Sequence, residues 1–130
     1  MKIIIDTNIV FSAILNSQGK IGQIIINSSN FFNFYTVGLL KEEIWNHKSK
    51  ILDISGFTDD QLIKSYETIT KRITFVDEVL ISQEILVEAR DIVIDIDEND
   101  ALFIALTNHI NGVLWTGDKK LVSGLKKKIT

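Results

Sequence analysis

The sequence predicts a three-layer α/β/α domain, a mostly parallel central sheet flanked by helices. Three observations carry this expectation. Four short apolar runs, at residues 2–5, 31–36, 73–76 and 113–116, are separated by stretches of helical pattern. Two of them, Ile3-Ile4-Ile5 and Val113-Leu114-Trp115, are continuously apolar rather than alternating, as strands covered on both faces are. No Pro/Gly/Ser-rich linker or internal repeat divides the 130 residues, so the chain reads as one domain, 1–130.

The elements follow in order. The first strand ends at Ile5 and runs straight into Asp6-Thr7-Asn8. After the second strand, Leu39, Leu40 and Ile44 begin a helix with Lys48 and Lys50 near its end. Thr58-Asp59-Asp60-Gln61 matches a capping box, and Leu62, Tyr66 and Ile69 continue at helical spacing until a strand takes over at Ile73. Ser82 caps a helix that buries Ile85, Leu86, Ala89 and Val93. A further helix starts near Asp97 and carries Ala101, Leu102, Ile104, Ala105 and Leu106. The fourth strand and a last helix close the pattern. The segment at 31–35, rich in Phe and Tyr, suits a strand facing the core. Trp45 and Trp115 read as core or interface residues.

A 45% hydrophobic and 24% charged composition is that of an ordinary globular domain, which excludes disordered and collagen-like chains. About two-thirds of the extended-chain surface is removed from water in a domain of this length. There is no cysteine, so disulfides, thiolate nucleophiles and cysteine-ligated zinc are excluded. Asp6 and Asn8 interrupt any signal-peptide apolar region. The longest uncharged stretch, 21–40, is long enough to span a membrane but holds seven polar side chains, among them Gln23, Asn27 and Asn33. The expectation is a soluble, cytoplasmic protein without a membrane partner. A net charge of −3 does not suit a passive polyanion binder. The last twelve residues nevertheless hold Lys119, Lys120, Lys126, Lys127 and Lys128 and no acid. That run is either a solvated terminal helix or a patch that contacts RNA phosphates.

Parallel α/β sheets place their sites at the carboxyl ends of strands, near a topological switch point, and acids follow the strands here. Asp6 follows the first and Asp118 the fourth, in Thr116-Gly117-Asp118. Asp97 and Asp100 open a helix, and Glu43 lies in the first turns of the helix after the second strand. Singly, each has a plainer explanation as an N-cap or a first-turn acid complementing the helix dipole. Together, carboxylates converging on one cleft would repel one another unless a cation lay between them. With oxygen ligands alone, that cation is Mg²⁺ or Mn²⁺. Removing these five negative charges from −3 leaves about +2, which a phosphate substrate tolerates.

The ordered set resembles the PIN-domain nuclease family, which includes the VapC-type toxin ribonucleases of toxin–antitoxin pairs. Asp6-Thr7-Asn8 is similar to the family's opening motif, and Glu43 before an apolar residue to its second acid. Asp97-x-x-Asp100-Ala101-Leu102-Phe103-Ile104-Ala105 resembles its third acidic block, and Thr116-Gly117-Asp118 its Thr-x-Asp. The resemblance spans nearly the whole chain. It implies hydrolysis of RNA phosphodiesters with one or two Mg²⁺ or Mn²⁺ ions, which activate water and neutralise the departing oxygen. The products carry 5′-phosphate and 3′-hydroxyl ends. It further implies catalytic ligands at Asp6, Glu43, Asp100 and Asp118, with Asp97 either a further ligand or a helix cap, and Glu42 competing with Glu43. Asn8 and Thr116 would orient carboxylates or water. A small antitoxin covering the cleft and a homodimer are also implied.

No histidine base is required; His47 and His109 fall late in helices, where a cation complements the C-terminus. The chain has no G-x-x-x-x-G-K-[ST] and no G-x-G-x-x-G, which removes P-loop and dinucleotide-binding readings. A haloacid-dehalogenase phosphatase would place Asp where Asn8 stands, and a receiver domain would pair acids at the first strand. The alternative that stands is a catalytically silent PIN-like module that binds RNA or protein.

Overall fold

A computed structural model describes residues 1–93 and 100–116. The chain runs β1 (Lys2–Ile5), α1 (Thr7–Leu15), α2 (Lys20–Asn27), β2 (Asn33–Val37), α3 (Leu40–Asn46), α4 (Lys48–Ser55), α5 (Asp59–Thr70) and β3 (Ile73–Val76). A 3₁₀ turn (Glu78–Leu80), α6 (Gln83–Val93), α7 (Ala101–Ile110) and β4 (Val113–Trp115) complete the described residues. The architecture is α/β as predicted: four parallel strands in the order β3-β2-β1-β4, flanked by helices.

Right-handed crossovers explain the layers. The chain steps from β1 to β2 to β3 in one direction, which puts α1–α5 on one face; α1 packs on α2, α4 and α5. It then returns across the sheet to β4, which puts α6 and α7 on the other face, with α7 against β1, β2 and β4. The reversal makes β1/β4 the topological switch point. Helices on both sides account for the continuous apolar run in β1, where Ile4 and Ile5 point to opposite faces and both are fully buried.

Several boundaries follow from capping. Thr58 and Gln61 form the reciprocal capping box of α5, and the Ser82 hydroxyl accepts from Ile85 N at the start of α6. Gly56 (φ 72°) and Asn111 (φ 55°) end α4 and α7 in the left-handed conformation. At Gly112 a Cβ would run into the Ile4 side chain and the Lys2 carbonyl. Glycine there lets the chain turn close under β1.

Two sequence expectations are corrected. The second strand begins at Asn33, because Phe31 and Phe32 donate their amides to the Ser28 carbonyl in a turn that finishes α2. Phe31 is consequently 76% exposed, whereas Phe34 is buried. The single helix expected from Leu39 to Lys50 is two, broken at His47, so Lys48 and Lys50 open α4 rather than close α3. Of the core and interface readings of Trp45, its 38% exposure removes the first; its ring rests on Tyr66 with centroids 4.8 Å apart.

Buried polar groups tie the layers together. Thr36 Oγ1 donates to the Ile5 carbonyl at 2.8 Å, and Ser65 Oγ donates to the Ile14 carbonyl at 2.6 Å. The second bond joins α5 to an otherwise unpaired carbonyl near the end of α1. Ser65→Ala leaves that carbonyl buried and is expected to cost about 1 kcal/mol, with up to roughly 3 if no water replaces the hydroxyl. A lowered urea midpoint with an unchanged slope is the expected readout; an unchanged midpoint would show that the bond contributes nothing.

Candidate functional site

Asp6 is the first residue beyond β1 and the N-cap of α1, with extended backbone (φ −87°, ψ 177°). No residue intervenes between strand and helix, so the carboxylate is held at the strand's end. It is 3% exposed. A carboxylate so buried is tolerated only when hydrogen-bonded. Its Oδ1 accepts from Ile9 N at 3.0 Å, and Oδ2 accepts from the Thr116 hydroxyl. The plainer reading of Asp6 as an N-cap is thus true of one oxygen, while the other faces β4.

Register explains the second contact. β1 and β4 pair Ile5 with Trp115, so the next residues, Asp6 and Thr116, emerge side by side at the switch point. Asp6 N also donates to the Trp115 carbonyl at 3.4 Å. Residues 6 and 116 therefore form a fixed pair that 110 positions of sequence separate.

Two further acids reach the same edge of the sheet from opposite layers. α3 follows β2 directly, which places Glu43, half-buried in its first turn, at the carboxyl ends of the strands. α7 runs antiparallel to the strands on the other face, so its N-terminal end lies at that edge too. Asp100, at the N-cap of α7, makes no side-chain cap bond to that helix, and its Oδ2 is buried.

The structure separates Glu43 from its neighbour. Glu43 lines a groove with Thr7 and Asn8, the residues that follow Asp6. Glu42 is exposed and lines a different depression, beside Lys41, Phe75 and Asp77. Asn8 is exposed at the mouth of the first groove. His47 caps α3, its Nδ1 donating to the Glu43 carbonyl at 2.8 Å, and His109 lies in the last turn of α7. Neither histidine shares hydrogen bonds with Asp6.

One supporting contact is invisible to sequence periodicity. Glu78, in the 3₁₀ turn after β3, accepts from Leu39 N at 2.5 Å and caps α3 from the end of the strand next to β2. That helix has no capping side chain of its own. Glu78 thereby fixes the start of the helix that carries Glu43.

For a divalent cation the donor set has the right chemistry, carboxylate and hydroxyl oxygens with no sulfur. Among the described residues, however, no three Asp, Glu or His side chains are grouped as a metal site. Asp97 and Asp118, together with Lys119, Lys120, Lys126, Lys127 and Lys128, lie outside the described residues.

A family model described as the PIN domain matches residues 4–130. The chain belongs to the PIN-domain family. PIN domains are generally nucleases, a hydrolase fold, and typically use divalent metals. No curated protein matches the chain. In this PIN domain, Asp6 and Thr116 stand at the switch point and Glu43 and Asp100 at the same sheet edge. No single helix among the described residues is long and apolar enough to cross a membrane.

Proposed function

We propose that this PIN domain is a Mg²⁺- or Mn²⁺-dependent endoribonuclease. The observation that carries the reading is Asp6, a nearly buried carboxylate at the switch point whose two oxygens are oriented by Ile9 N and the Thr116 hydroxyl. Such orientation costs conformational freedom and is characteristic of ligands that must hold one geometry. A cation bound there, one ion or two, supplies Lewis-acid charge for phosphodiester hydrolysis.

In the proposed mechanism Asp6, Glu43, Asp100 and Asp118 would hold that charge, with Asp97 as a candidate further ligand; α7 itself starts after Asp100. Thr116 keeps Asp6 aimed by donating to Oδ2. Asn8, at the groove mouth, is placed to hydrogen-bond water or the phosphate. Lys119, Lys120, Lys126, Lys127 and Lys128 attract the RNA backbone.

The similarity of the acid motifs to VapC-type toxins supports a finer assignment as the toxin of a toxin–antitoxin pair. On that assignment the chain acts in the cytoplasm as a homodimer, with a small antitoxin covering the acid edge.

The test incubates the full chain with end-labelled structured RNA in Mg²⁺, in Mn²⁺ and in EDTA. Cleavage leaving 5′-phosphate ends, abolished by EDTA and by Glu43→Gln but retained in Glu42→Gln, is the expected outcome. RNA binding without cleavage in either metal would instead establish a silent binding module.

A further inference from the structure

The groove that Glu43 shares with Thr7 and Asn8 extends well beyond the acids. It has a volume of about 360 Å³ and lies between α1 and the α3–α4 junction. Phe11 and Leu15 line it from α1, and Ile51 and Ile54 from α4. These positions recur at helical spacing and form two facing apolar walls. The Phe11 ring meets the His47 imidazole edge-on, with centroids 6.4 Å apart and planes at 73°. Lys50 lies on the rim, exposed and with no ion pair among the described residues. Ile54 is 63% exposed, a large apolar side chain left facing solvent at the groove's outer end.

We propose that this groove receives the unstacked base of a nucleotide flanking the scissile phosphate of single-stranded RNA, making it a sequence-selecting subsite. The inference rests on the nuclease reading and adds the part of the substrate that reading leaves unassigned. Three features favour a nucleotide over a protein segment. The volume is at the low end of the roughly 300–1,000 Å³ range of small-molecule sites, enough for one flat ring system rather than a helix face. The groove is continuous with the acid edge through Glu43 and Asn8, so a strand with its phosphate at Asp6 carries its neighbouring base into it. An apolar, aromatic-walled slot with a cation at its rim matches a base with an attached phosphate.

Loss of a stacked base lowers affinity by roughly 5- to 150-fold. The experiment measures KM and kcat of the full chain on a single-site RNA and on the same RNA with an abasic nucleotide at each flanking position in turn. In the wild type, one abasic substitution is expected to raise KM within that range. In Phe11→Leu and Ile54→Ser the same substitution should change KM less than twofold, and the base preference at that position should flatten across a pool of randomised RNAs. Ile54, being mostly exposed, keeps the test open if Phe11→Leu perturbs the fold. Wild-type cleavage indifferent to abasic positions, or variants with the wild-type abasic penalty, would overturn the subsite and leave the nuclease reading intact. A wild type that neither cuts nor binds any RNA would overturn both.

Discussion

Asp6→Asn is expected to lower metal-dependent RNA cleavage by on the order of 10²–10³-fold, the scale seen when one preorganised electrostatic group is removed from an active site. The same substitution should leave the fold in place, and the reason is visible in the two oxygens. Asparagine is as good an N-cap as aspartate, so its carbonyl still accepts from Ile9 N. The Thr116 hydroxyl can turn from donor to acceptor to meet the new amide. What is lost is the negative charge. Asp6→Ala makes the contrast: it removes the cap as well and is expected to cost about 0.5–2 kcal/mol of stability in addition. Cleavage assays beside thermal melts separate the two effects. If Asp6→Asn cuts RNA at the wild-type rate, Asp6 is only a cap and the proposed centre is misplaced.

Ile5→Ala should act in the opposite way, through stability alone. Ile5 is fully buried in the central strand β1, paired in register with Trp115, and its carbonyl accepts from Thr36. Truncating such a residue removes transfer energy and leaves a cavity, together about 2–5 kcal/mol. Against a total stability of roughly 5–15 kcal/mol this is a large fraction. Tm should fall by roughly 10 °C or more, with urea unfolding shifted to match. Because Ile5 precedes Asp6, residual activity per folded molecule is worth measuring at low temperature. A Tm within a degree or two of wild type would mean that the core collapses around the missing atoms.

The fold was largely legible, for reasons that differ by element. β1 and β3 occur where sequence reading places them, because each is a short β-branched run bounded by polar residues, Asp6 after one and Arg72 and Asp77 around the other. The start of α5 was legible because both halves of its capping box lie within four residues. β2 was misplaced by two residues because Phe31 and Phe32 look like strand residues, while the Ser28 carbonyl holds their amides in a turn. The break between α3 and α4 carries neither Pro nor Gly. It arises where the His47 amide and ring both turn back onto α3 carbonyls, and an uninterrupted apolar pattern gives no sign of it.

The candidate site divides along the same line. Its residue types, their order and their placement after strands or in first helical turns are local properties, so Asp6, Glu43 and Asp100 could be singled out from sequence position, and Thr116 through the resemblance of its motif. Which of two adjacent glutamates turns toward Asn8 depends on a helix rotation of about 100° per residue, and packing of α3 against its neighbours selects Glu43. The pairing of Asp6 with Thr116 and the capping of Leu39 by Glu78 join residues 110 and 39 positions apart. Strand register and crossover handedness bring them together, and both are properties of the assembled sheet. Amino-acid order thus encodes the chemistry available to this PIN domain, whereas long-range packing chooses which of those groups share one edge.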